Sequence, residues 1–178
     1  MREGTEGWPM SRLVGGVIAA GAAGLGLVGA GVVKGIAGED HSTRDDSGAI
    51  VEGGEVGAFR IRVGDCLAAI AFGAPIESVD AVPCSEPHTS EVYGAFNILT
   101  PEDAAFPGTD SINAQADDGC YSRFAGFVGF PYERSVYDIS SITPTKDSWE
   151  QLHDREVLCL VVMTDNSLMT GSAKDTNR

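Results

Sequence analysis

Four cysteines and three histidines are the side chains best equipped for chemistry in this 178-residue chain. Cys66, Cys84, Cys120 and Cys159 could serve as metal ligands, as a nucleophile or as disulfide partners. Zinc sites usually draw on tight pairs, such as two Cys separated by two residues, whereas consecutive cysteines here lie 18, 36 and 39 apart. Cys84 and His88 at a spacing of four, and His153 and Cys159 at six, do not complete a metal set. A Cys–His nucleophilic pair needs a free thiol, and four paired cysteines leave none. The even count points to two disulfides, for which the sequence permits three connectivities. Cys66 with Cys84 is preferred because that pair brackets a strand, a turn and a strand. Cys120 with Cys159 is preferred because it joins a helix to the last strand. Loops of these lengths would stabilise the domain by roughly 3 and 4 kcal/mol.

The remaining candidates read more simply as structure. His88, in the polar loop Pro83–Glu91, is expected to hold a turn, accepting from backbone amides and donating to Glu86 or Glu91; an active-site role is the alternative. Trp149 is expected in or near the core beside Cys159. Asp154 and Arg155 read as an exposed pair at a strand start. Asp117 and Asp118 point about 100° apart on a helix, so they read as a solvated face and not as an acid/base pair. Phe127 and Phe130, in a loop rich in Gly and Phe, are candidates for a partner-binding surface. Gly24, Gly26 and Gly29 have the order of a dinucleotide fingerprint, but no βαβ unit surrounds them, and nucleotide binding is rejected. No cofactor or metal is expected.

These residues sit in a chain of uneven composition. Twelve Lys and Arg against 26 Asp and Glu give a formal charge of −14, which opposes binding to nucleic acid. Residues 13–33 carry no charge and hold seven of the 23 glycines. As a helix this segment would span roughly 31 Å, the thickness of a bilayer core. A retained transmembrane helix is preferred over a signal peptide cut after Ala37, because the apolar run is long for a signal sequence. Arg2 and Arg12 before it, and the acids Glu39, Asp40, Asp45 and Asp46 after it, place residues 1–12 in the cytoplasm and the rest outside. Ala22, Gly26 and Ala30 form a small-residue stripe that would let another helix approach closely. Residues 34–57, acidic and rich in glycine, are expected to be a linker.

Residues 58–170 are expected to fold as the exported domain, and residues 171–178 to be a tail. Strands are predicted near Ala58–Val63, Ser78–Val82, Glu91–Ile98, Ser135–Ile142 and Glu156–Met163. Ile112, Ala116, Cys120, Phe124 and Phe127 recur at helical spacing over Ser111–Phe127, with Asp110 or Ser111 as the N-cap. A short turn or helix is predicted over Lys146–Leu152. The class is α+β, a small, mainly antiparallel sheet with one main packed helix.

The string VGDCLA at Val63–Ala68, VPCSEPHTSEVYGAF at Val82–Phe96, the helical Cys120 and DSWEQLHDREVLCLVV at Asp147–Val162 occur in this order. Together they resemble the septum formation-related domain of actinobacterial envelope proteins, over residues 59 to about 173. Gln151, Leu152 and His153 depart from the pattern, standing where a glycine turn is expected. The resemblance implies an N-terminal membrane segment, an exported domain and a role in the envelope or in division, with no described reaction. The expected function is that of a membrane-anchored, non-catalytic interaction module, associated with septation or acting as an accessory subunit of a larger membrane complex. Its partners would be lipid, through residues 13–33, and other membrane or envelope proteins. The alternative is a periplasmic or cell-wall enzyme with His88 in its active site.

Overall fold

The computed structural model describes residues 38–70, 75–101 and 103–178. The expected cytoplasmic N-terminus, the expected membrane helix and its stripe Ala22, Gly26 and Ala30 lie outside the described residues. No helix among the described residues is long and apolar enough to cross a membrane.

The fold is α+β, built on an antiparallel sheet of six strands. In chain order the strands are β1 (Thr43–Arg44), β2 (Ile50–Glu52), β3 (Gly54–Gly57), β4 (Cys66–Ala69), β5 (Ser78–Val82), β6 (Ser90–Asn97), β7 (Tyr137–Ile142) and β8 (Glu156–Met163). The helices are α1 (Thr109–Val128) and α2 (Lys146–Leu152). The sheet runs β3-β5-β4-β6-β8-β7, and β1 and β2 form a separate hairpin. Its longest ladder joins β6 to β8, from Ser90 opposite Val162 to Asn97 opposite Glu156.

Because side chains alternate along a strand, β6 and β8 are apolar on both faces and each face has its own core. On one side Val157, Cys159 and Val161 of β8 meet Ile112, Ala116, Cys120, Phe124 and Val128 of α1. Those five helix residues are all buried and recur every four positions, the single stripe that a helix lying on a sheet must bury. On the other side Leu158 and Leu160 join Leu67, Val92, Ile61 and Ile50. Gly119 lets α1 approach closely, since a Cβ there would lie 2.1 Å from the Phe96 ring.

Several expectations are corrected. Residues 38–57 of the expected linker are folded: β3 is an edge strand of the main sheet, and His41 and Gly57 exchange backbone hydrogen bonds with Glu55 and Glu39 along its outer side. Ladder pairing needs backbone, not apolar side chains, so an acidic, glycine-rich composition does not prevent it. Residues 58–63 form a 3₁₀ turn (Ala58–Arg60) and coil instead of a strand, and the strand comes later, at Cys66. The N-cap of α1 is Gly108, and no side chain caps that end. The expected tail is packed: Ala173 is buried, and the N–H groups of Asp175 and Asn177 donate to the carbonyls of Phe127 and Val128 at the end of α1.

Candidate functional site

The sulfurs pair Cys66 with Cys84 and Cys120 with Cys159, with Cα separations of 5.2 and 5.3 Å. The second bond ties α1 to β8 inside the core, and both its cysteines are fully buried. The Tyr93 hydroxyl donates to the Cys120 carbonyl at 2.8 Å in the same place, and burial raises the Tyr93 phenol well above its ordinary range. The first bond lies at the rim, with Cys66 buried and Cys84 half-buried.

Around that rim disulfide the structure gathers an array of polar groups. Cys66 sits opposite Glu91 across the β4–β6 ladder, so their side chains share a face. Cys66, Cys84 and Glu91 each place a sulfur or carboxylate oxygen within 4.8 Å of the others. With the sulfurs bonded to one another, this group is not a thiolate metal site. Glu91 is 2% exposed, and its carboxylate accepts from the Ser172 hydroxyl at 2.6 Å and the Ala173 N–H at 2.7 Å. The segment from Met169 to Ala173 therefore straps the loop that carries Cys84. Gly171 donates to the Cys84 carbonyl, and Met169 and His88 exchange both backbone hydrogen bonds.

His88 is fully buried beneath this strap. Its Nδ1–H donates to the Glu86 carbonyl at 2.7 Å. The expected donation to Glu86 is made to its backbone carbonyl, while the Glu91 carboxylate is occupied by the strap. Among the described residues Nε2 has no hydrogen-bond partner.

A second array flanks the same strand. Asp65, one residue before Cys66 and also 2% exposed, accepts from Arg44 Nη1 at 2.6 Å and Nη2 at 2.9 Å, and from the Arg62 N–H at 2.8 Å. Arg44 Nε reaches Asp40 at 2.9 Å. Hydrogen bonding to Asp65 raises the guanidinium pKa further. Burial pushes the Asp40 carboxyl up, but hydrogen bonds from Ser42 and Arg44 outweigh it and hold that carboxyl below its ordinary range. Arg44 is the one Arg or Lys in the run EDHSTRDDSG, set among four acids, and that is the sequence signal that could have exposed this latch. Glu91, an acid inside the apolar strand SEVYGAF, carries the matching signal for the strap.

Trp149 lies elsewhere, 1% exposed in the α1-side core, with its indole N–H donated to the Ala104 carbonyl at 2.7 Å. The Arg155 guanidinium stacks 3.6 Å from the centre of a Trp149 ring and donates to the Trp149 carbonyl, so Arg155, like Asp154, is half-buried and not exposed. Phe127 and Phe130 are partly buried against the same core, Phe127 tilted against Tyr93. Tyr132 donates to Asp138 at 2.6 Å, which lifts its phenol to about 12. Asp117 and Asp118 are exposed.

The framework that positions the rim array, from the strand-leading Val63 to the strapping C-terminus, coincides with a sequence match: residues 63–177 match the family described as septum formation. The chain belongs to the septum formation family. No curated protein matches the chain, and no solved structure does. The septum formation match takes in both disulfides, His88, Glu91 and Trp149. It also takes in the strap, so the family's domain extends through the residues expected as a tail. Arg44 and the β1–β3 segment precede it. Family membership gives the chain a role in cell division or the cell envelope.

Proposed function

We propose that the chain is a membrane-anchored, non-catalytic envelope protein whose exported domain binds other membrane or envelope proteins, as an accessory subunit of a larger complex associated with septation. The observation that carries this reading is the placement of His88. An active-site histidine stands in a concavity beside another reactive group. Here the ring is fully buried and its Nδ1–H is committed to the Glu86 carbonyl. The other buried ionisable side chains nearby hold chain segments together, Asp65 through Arg44 and Glu91 through Ser172 and Ala173. Two disulfides suit an oxidising compartment, and the uncharged run 13–33 supplies the anchor.

Affinity isolation of the full chain from detergent-solubilised membranes, read by mass spectrometry, tests the accessory role. A membrane protein recovered in constant ratio to the chain is expected, and recovery of the chain alone would refute it. Protease treatment of intact cells stripped of wall tests the topology. Residues 38–178 should be cleaved from outside, and protection until the membrane is permeabilised would overturn the exported placement.

A further inference from the structure

The two disulfides differ in what surrounds them. Cys120–Cys159 is sealed in the core, whereas Cys66–Cys84 pairs a buried sulfur residue with a half-buried one at the rim. Beside it stands Glu91, a buried acid that binds only neutral donors, Ser172 O–H and Ala173 N–H, among the described residues. Acids so deeply buried are normally paired with a cation, as Asp65 is with Arg44. Glu91 instead has two sulfurs within 4.8 Å. A carboxylate in that position can take a proton from a thiol and return it.

We propose that Cys66–Cys84 is a site of thiol–disulfide exchange, with Cys84 the sulfur that meets an external thiol, Cys66 the resolving sulfur and Glu91 the proton relay. The partner is an exported protein or small molecule bearing a thiol or disulfide. In the opening direction the partner's thiolate attacks Cys84 Sγ, a mixed disulfide forms, and Cys66 departs with the electron pair of the broken bond. Cys66 then takes, through Glu91, the proton that the incoming thiol had lost. In the closing direction Glu91 removes that proton, and the Cys66 thiolate attacks Cys84 Sγ. The partner leaves as thiolate and recovers the proton. Each direction is an exchange of one disulfide for another, with no net oxidation. The site is stoichiometric and requires no turnover, so it stands independently of the accessory-subunit reading. Opening the bond would remove the covalent tie between β4 and the loop that the strap holds at Cys84 and His88, leaving the β4–β6 ladder to join them.

The test uses the full chain in detergent with glutathione as the partner, alkylation to stop the exchange, and peptide mapping to read each bond. Cys66–Cys84 is expected to open at least about tenfold faster than Cys120–Cys159. In Cys66→Ser, Cys84 should capture oxidised glutathione at least about tenfold faster than Cys66 does in Cys84→Ser. Glu91→Gln should slow resolution of the Cys84–glutathione bond about tenfold. In the Cys66→Ser background the same substitution should leave Cys84 capture unchanged, a split that mere loosening of the rim would not produce. If Glu91→Gln does not fold, the comparisons between the two bonds and between the two single-cysteine variants still decide. Equal opening of both bonds, equal capture by both cysteines, or resolution in folded Glu91→Gln at the original rate would each overturn the proposal.

Discussion

Asp65, just before β4, and Glu91, on the neighbouring strand β6, are equally buried, and each fastens one end of the described fold, yet they do so by opposite means. Asp65 holds the N-terminal segment through a charge pair with both terminal nitrogens of Arg44. Glu91 holds the C-terminal strap through a hydroxyl and a backbone N–H. The difference teaches where a buried charge is committed. Asp65 is locked to its cation, and removal of that cation strands a carboxylate in the interior. Glu91 has no such cation to lose, because its partners are a neutral hydroxyl and a backbone N–H.

Arg44→Ala should therefore produce the largest effect, about 3–5 kcal/mol of lost stability in urea unfolding, because the other half of a buried pair is left uncompensated. Glu91→Gln should cost about 1 kcal/mol, since an amide can accept from Ala173 and donate to the Ser172 hydroxyl. Equal losses for the two variants would break the contrast.

Acid should separate the two ends as well. The Asp40 carboxyl is held below its ordinary value of 3.8, so its contribution is complete above that value and is lost as the pH falls through the lower folded-state value. Hydrogen exchange at residues 40–57 should accelerate in that window before exchange at residues 169–177 does. Simultaneous loosening would mean that the latch is not an independent unit.

How much of this was legible follows from what each element depends on. β5, α2 and β8 run over the residues that the sequence predicts, because alternation and a turn signal, or a capping residue such as Thr145, act locally. β3 was not legible, since Gly54–Gly57 has one large apolar residue and is a strand only because β5 offers backbone partners from Ser78 to Ala81. The strap was hidden for the same reason, its order coming from Glu91, 81 residues earlier in sequence. At His153 the sequence pattern and the backbone agree: a glycine turn is expected there, and the residue adopts φ 54, the left-handed cap of α2. His153→Gly should thus stabilise the fold by about 1 kcal/mol, and a loss of stability would show that the histidine side chain contributes something the backbone does not explain.

The smallest effect is expected from a third carboxylate, which tests whether burial or mere charge governs the contrast. Glu156 begins β8 opposite Asn97 at the open end of the ladder and is exposed. Partial desolvation, with the charge of Asp154 second, raises its carboxyl above the ordinary 4.5. The charged form is therefore the disfavoured one in the folded chain, and stability present in acid is lost as the pH rises through the raised value. Glu156→Gln should accordingly stabilise the domain at pH 7, by less than about 0.5 kcal/mol because solvent screens an exposed group, and the gain should vanish below pH 4. If the gain instead approached the loss seen for Arg44→Ala, the net charge of −14 and not the depth of each carboxylate would be setting the energetics, and the distinction between Asp65 and Glu91 would lose its physical basis.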